Sequence, residues 1–228
     1  MNNSFGITFT LDNRLCAVSA FMRDGIVYAT DGITNCLYIV NSCSCIEQQP
    51  LFRCYRALRF NEDMQILTAL AGRNRISLLS GDFCEYASLS LPDNCECLTD
   101  ASVCSIGGTD YILAAFTHSA ALFDMSGREV FEICETDCDE SIQGFICFGE
   151  NRYAMASSQN GRQLLTVSDR ENRQSAVIDK GLILRSIFEY NGVIYGLFGR
   201  NYIYNSVYPI YSCGNLRLPT IEKSFGSC

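Results

Sequence analysis

Five segments of this 228-residue chain share one plan: an apolar strand, a tight turn, a second strand, another turn and a third strand. They read CAVSAFMRDGIVYATDGITNCLYIV, ALRFNEDMQILTALAGRNRISLL, SVCSIGGTDYILAAFTHSAALFD, GFICFGENRYAMASSQNGRQLLTV and LRSIFEYNGVIYGLFGRNYIYNS. In each, a large apolar residue ending the first strand lies seven residues before one inside the second: Phe21/Tyr28, Phe60/Leu67, Ile106/Leu113, Ile146/Tyr153 and Phe188/Tyr195. The second members are 39, 46, 40 and 42 residues apart, so five units account for nearly the whole chain. A repeat of this length means that each unit is one supersecondary element burying its apolar faces against its neighbours.

The punctuation between strands is that of hairpins: RDG at 23–25, DG at 31–32, NG at 160–161 and YNG at 190–192. Asp, Asn and Gly supply the positive φ that two-residue hairpin turns demand. The units resemble β-propeller blades, which are four-stranded sheets of about 40–50 residues. They carry no Trp-Asp signature and no kelch diglycine pattern, and the chain contains no Trp. In size it is similar to small five-bladed lectins. The resemblance implies an all-β chain, one five-bladed β-propeller of four-stranded antiparallel blades spanning 1–228, with a β-sandwich as the alternative. A ring must also join its first and last blades, because an open one leaves unpaired strand edges. The alternating FGITFTL (5–11) is expected to add as the outer strand of the fifth blade, in competition with the C-terminal GNLRLPTIEKSFGSC.

Composition removes several classes of function. Hydrophobic residues make up 48% and charged residues 18%, a globular balance. A net charge of −8 argues against binding nucleic acid or an acidic membrane, which requires a basic surface. The N-terminus lacks a basic segment followed by an apolar run, and no apolar stretch approaches membrane-helix length, so a cytoplasmic location is expected. Fourteen cysteines without an export signal read as mostly reduced packing residues; Cys16, Cys36, Cys104 and Cys147 sit in apolar strand-like runs. The pairs CSC (43–45), CEC (95–97) and CETDC (134–138) depart from structural zinc spacing, so no metal is assigned.

The tripeptide Gly-Arg-Asn occurs twice, at 72–74 and 199–201, at nearly matched positions in the second and fifth units. In a propeller, the loops between second and third strands share one face. Arg73, Asn74, His118, Asn160, Arg162, Arg200 and Asn201 would then ring one mouth of the central channel. Arginine forks suit carboxylate or phosphate and asparagine adds a donor and an acceptor, so an anion or a polyol is the expected small ligand. The plainer alternative is turn chemistry, with the arginines solvated.

Catalytic sets are not legible. Five-bladed glycosidases place carboxylates on the innermost strands, whereas CAVSAFM, ALRF, SVCSI, GFICF and LRSIF contain no Asp or Glu. The single histidine, His118, adjoins Ser119 without a nucleophile elbow, and GGTD (107–110) lacks the lysine and helix of a phosphate loop. No catalytic residue and no cofactor is therefore assigned. The expected function is a noncatalytic binding or scaffold propeller engaging a protein partner or a small anionic or polyol ligand. A lectin-like glycan binder and an unrecognised hydrolase are the alternatives.

Overall fold

The computed structural model describes residues 9–11, 16–34, 36–40, 46–50, 57–61, 64–70, 74–91, 97–148, 152–169, 172–200 and 204–219. In chain order, a short strand β1 (Phe9–Leu11) precedes the first blade, β2 (Ala17–Arg23), β3 (Ile26–Asp31), β4 (Cys36–Val40) and β5 (Ile46–Pro50). The second blade is β6 (Leu58–Asn61), β7 (Ile66–Leu70), β8 (Arg75–Leu79) and β9 (Glu85–Ser90). The third is β10 (Leu98–Ile106), β11 (Thr109–Phe116), β12 (Ser119–Phe123) and β13 (Glu129–Glu135). The fourth is β14 (Glu140–Cys147), β15 (Arg152–Gln159), β16 (Arg162–Asp169) and β17 (Asn172–Val177). The fifth is β18 (Ile183–Tyr190), β19 (Val193–Arg200) and β20 (Tyr204–Ser212), with β21 (Asn215–Leu216) as a short extension.

Each blade is an antiparallel meander, and the five together form a β-propeller. The fifth blade takes its outer strand from the other end of the chain. β1 pairs with β20 through Phe9↔Val207, Thr10↔Ser206 and Leu11↔Asn205. No helix long and apolar enough to cross a membrane occurs among the described residues.

Three of the four expected turns are two-residue hairpins with both central residues at positive φ: Asp24-Gly25 at 53° and 74°, Asn160-Gly161 at 50° and 73°, Asn191-Gly192 at 51° and 73°. That is the turn whose twist matches the strands it joins. At Asp31-Gly32 the connection is longer, β3 ending at Asp31 and β4 beginning at Cys36. Phe21/Tyr28, Phe60/Leu67 and Phe188/Tyr195 are direct cross-strand partners. Tyr153 instead pairs with Cys147, and Leu113 with Ser102. In the third blade the hairpin runs further out before closing at Ile106↔Thr109, which displaces its apolar spacing.

The core is divided into five clusters, one at each blade junction. Ala20, Val27 and Ala29 meet Phe188, Leu197 and Val207 between the first and fifth blades. Phe21 and Leu37 meet Leu58 and Leu67 between the first and second. The remaining three junctions are filled in the same way. Because each blade is covered on both faces, its middle strands are apolar at successive positions. In β11, Ile112, Ala114 and Phe116 face the second blade while Leu113 and Ala115 face the fourth. This explains why the repeat shows apolar runs rather than strict alternation.

Candidate functional site

The innermost strands β2, β6, β10, β14 and β18 converge on the axis, and four of them carry a β-bulge at one level. The register slips between Ala17 and Ser19, Leu98 and Asp100, Ile142 and Gly144, and Leu184 and Ser186. A bulge re-aims the side chain beside it. Here it precedes Ser19, Asp100, Gly144 and Ser186, which meet Arg59 of β6 in one buried knot.

Arg59 and Asp100 between them tie all five blades together. Arg59 Nη1 donates to Ser19 Oγ at 3.1 Å, Ser186 Oγ at 3.0 Å and the Leu58 carbonyl at 3.1 Å. Its Nη2 donates to Asp100 Oδ2 at 2.6 Å, a pair whose side chains are 6% and 1% exposed. Asp100 Oδ2 also accepts from the Phe145 amide at 3.0 Å, and Oδ1 from the Ala101 amide at 2.9 Å. Gly144 leaves the room for this, since a Cβ there would sit 3.4 Å from Asp100 Oδ2. Burial raises the Asp100 carboxyl above the usual carboxylate range, and Arg59 and the two amides oppose that rise.

The innermost strands therefore do carry carboxylates, a correction to the sequence expectation. β10 begins at Leu98, ahead of SVCSI, and includes Asp100; β14 begins at Glu140. The bulge around Thr99 interrupts the period of two and hid this segment from pattern reading. A different signal was available. Ser19, Arg59, Asp100, Gly144 and Ser186 are spaced 40, 41, 44 and 42 residues apart, a polar or glycine position recurring with the repeat.

Above the knot the axis opens into a cavity of about 450 Å³, on the side where each first strand turns into its second. Arg59 forms part of its floor. Phe60, Asn61, Ser102–Ser105, Ile146–Phe148 and Phe188–Asn191 line it, with Met22 completing the ring from the first blade. Asn61 is fixed by its own bonds, donating to the Val103 carbonyl at 2.8 Å and accepting from the Met64 amide at 2.9 Å. Two lining thiols are held protonated. Burial, then Asp110, pushes Cys104 up to about 11; burial, then Cys104 and Cys134, pushes Cys147 up to about 12. The chemistry on offer is thus hydroxyls, the amides of Asn61 and Asn191, aromatic faces and one exposed carboxylate, Glu189, over the Arg59–Asp100 pair.

Those of the residues expected to ring a mouth that the structure describes lie toward the other end of the strands. Arg73 and Asn201 fall outside the described residues. Asn160 and Arg162 are exposed, at the turn joining the second and third strands of the fourth blade. Asn160 Nδ2 donates to Asp139 at 3.2 Å, while His118 Nδ1 is 2.9 Å from the Glu140 carbonyl, so each bonds to the segment that enters the fourth blade. Arg200 is half-buried at the end of β19, and Asn74 half-buried before β8, its carbonyl accepting from Leu91 at 2.9 Å. No contact joins Asn74, His118, Asn160, Arg162 and Arg200 to one another among the bonds described. Gly199 also has a reason other than turn geometry. It lies on β19, and a Cβ there would meet Arg185 Nε at 2.4 Å. Arg185 in turn donates to the Ala17 carbonyl at 3.0 Å and links the fifth blade to the first.

Cys16, Cys104 and Cys147 are free thiols among the described residues. The CSC pair and Cys95 fall outside those residues. No group of three potential metal ligands occurs among the described residues.

No protein-family model and no curated protein matches the chain. Solved structures do. Virginiamycin B lyase from Staphylococcus aureus superposes with a TM-score of 0.54 at 10% identity, covering 90% of this chain and 99% of that one. A streptogramin B lyase gives a TM-score of 0.51 at 11% identity, over 91% of this chain and 88% of the other. A catalytically inactive S. aureus virginiamycin B lyase with quinupristin gives 0.51 at 12% identity, over 91% and 75%. At such identities the likeness establishes the β-propeller fold alone.

Proposed function

We propose that this protein is a noncatalytic binding propeller that receives a small, neutral, hydroxylated molecule in the mouth formed by the first hairpins of its blades. The observation that carries this reading is the cavity of about 450 Å³ built by all five inner strands over the Arg59–Asp100 pair. A pocket of that size with a few convergent polar groups is the usual form of a small-molecule site. Among the two ligand chemistries expected from sequence, the polyol is the better supported. The guanidinium at the floor bonds Asp100, Ser19, Ser186 and Leu58 through its Nη atoms and keeps its Nε buried, so it presents no exposed fork to an anion. Phe60, Phe148, Phe188 and Tyr190 supply apolar faces for the carbon skeleton, and Ser102, Ser105 and Asn191 supply hydrogen-bonding groups.

Lyase or hydrolase chemistry draws less support from the mouth, because its lining thiols are pushed far above neutral pH, its buried carboxylate is committed to Arg59, and its exposed carboxylate, Glu189, accepts from the Gly192 amide. A thermal-shift screen of neutral polyols, amides and carboxylates tests the reading. Hits are expected among the neutral hydroxylated compounds, abolished by Ser105→Trp, which fills the mouth, and kept by Arg162→Ala at the other end. Hits confined to carboxylates and lost in Arg162→Ala would return the assignment to the arginine-bearing loops.

A further inference from the structure

The outer strand of the third blade differs from the other blade edges. Val130 and Phe131 of β13 are 54% and 63% exposed, the most solvent-accessible pair of consecutive large apolar residues described. Phe131 pairs with Leu122, whose side chain belongs to the core between the third and fourth blades, so Phe131 continues that apolar face outward. Around them the chain is strongly acidic. Residues 128–140 contain Glu129, Glu132, Glu135, Asp137, Asp139 and Glu140 against the single Arg128. None of Glu129, Glu132 and Glu135 is ion-paired among the described residues. Arg173, from the neighbouring blade, lines the small hollow beside Cys134 and Glu135 and is the one basic group facing it.

The other edges differ. β20 is covered by β1, β5 ends in Pro50, and β17 is tied through Gln174 to the Gly214 carbonyl and the Leu216 amide. β9 carries one exposed large apolar residue, Tyr86, and its Glu85 is paired with Arg75. β13 pairs with β12 alone among the described strands, and an edge strand presents unpaired backbone groups along its free side. The fold already accepts an added strand at one edge, where β1 completes the fifth blade.

We propose that β13 is a docking edge for an extended, basic segment of another protein, which adds as a fifth strand to the third blade. Main-chain bonds give such a complex its affinity and alternate side chains its selectivity. Apolar residues of the incoming strand cover Val130 and Phe131, and its lysines or arginines face Glu129, Glu132 and Glu135. A second copy of this chain is the wrong occupant, because like charges placed opposite one another destabilise a ladder. The acidic edge thus repels its own kind and selects a basic partner. This surface is separate from the mouth, and the inference does not rest on the ligand proposed there.

The probe is a capped eight-residue peptide alternating Lys and Val, compared with a Glu/Val and a Lys/Gly peptide by fluorescence anisotropy at low salt. The Lys/Val peptide is expected to bind, with each control at least about tenfold weaker, and Glu132→Lys/Glu135→Lys to lower its affinity at least about tenfold. Glu132→Gln/Glu135→Gln, which keeps side-chain shape, is expected to give an intermediate loss and so guards against misfolding of the reversal variant. Hydrogen exchange on the complex is expected to protect the amides of 129–135 and leave β9 and β17 unchanged. Absent binding of the Lys/Val peptide overturns the proposal. Equal binding by the reversal variant, protection elsewhere, or self-association protecting β13 would each overturn it too.

Discussion

Replacing Asp100 by alanine removes one partner of a buried ion pair and strands the other. The structure sets the scale. Arg59 Nη2 loses a 2.6 Å bond to a carboxylate that is 1% exposed, and the amides of Ala101 and Phe145 lose their acceptor. Leaving an uncompensated charge in such a place costs about 3–5 kcal/mol. For a chain of this length, that corresponds to a fall in Tm of roughly 6–20 °C. The double variant Arg59→Met/Asp100→Leu removes both charges while keeping volume. It is expected to fall within about 1 kcal/mol of wild type or to exceed it, as replaced buried pairs often do. Urea denaturation of the wild type, Arg59→Met, Asp100→Leu and the double closes the cycle, with a coupling energy expected above the usual range of about 0.5–3 kcal/mol. The pH dependence adds a second arm. Because burial raises the folded-state pKa of Asp100, the folded form binds the proton more tightly than the unfolded chain. Stability is then lost as pH rises from the ordinary carboxylate range through the raised value, and Arg59→Met, which removes the opposing charge, widens that window. A cost below about 1 kcal/mol for Asp100→Ala, or additive single effects, would refute the claim that this pair is the buried tie among the blades.

Other consequences can be measured directly. Iodoacetamide at pH 8 should modify the exposed Cys84, Cys138 and Cys213 first, with Cys104 and Cys147 at least about tenfold slower because their thiols sit near 11 and 12. Tyr211 donates to Asp169 at 2.6 Å, and burial, aided by that carboxylate, pushes its phenol up to about 12. Its contribution to stability is present below the ordinary tyrosine value and lost as pH rises through about 12, so Tyr211→Phe should flatten alkaline unfolding curves above pH 10. Gly199→Ala is expected to cost about 1–3 kcal/mol by overpacking against Arg185, with the penalty reduced when Arg185→Ala is present. Thr10→Pro, which disrupts the β1–β20 ladder, should lower Tm and speed proteolysis at the closure.

The turns and the repeat were legible because each is written locally. Asn160-Gly161 and Asn191-Gly192 encode their turn in two residues, and one strand-turn-strand plan recurs five times along the chain. Apolar spacing found cross-strand partners in three blades, slipped by one residue in the fourth, where Tyr153 pairs with Cys147, and slipped further in the third, where the hairpin closes at Ile106↔Thr109. The site was harder to read because it is assembled from one residue per blade. Bulges at Val18, Thr99, Gln143 and Arg185 break the alternation just where the axial residues stand. Arg59 and Asp100 are 41 residues apart in sequence, and the packing of the second blade on the third brings them to 2.6 Å. Gly-Arg-Asn drew attention to loops at the other end, while its second glycine serves the packing of Arg185.

The most direct test of the binding account is to map a ligand from the neutral polyol screen by backbone chemical-shift perturbation. The account predicts shifts concentrated in Asn61, Ser102–Ser105, Phe148 and Phe188–Asn191, the lining of the mouth above Arg59. Shifts centred instead on Thr117–His118 and Asn160–Arg162, with the mouth silent, would contradict it.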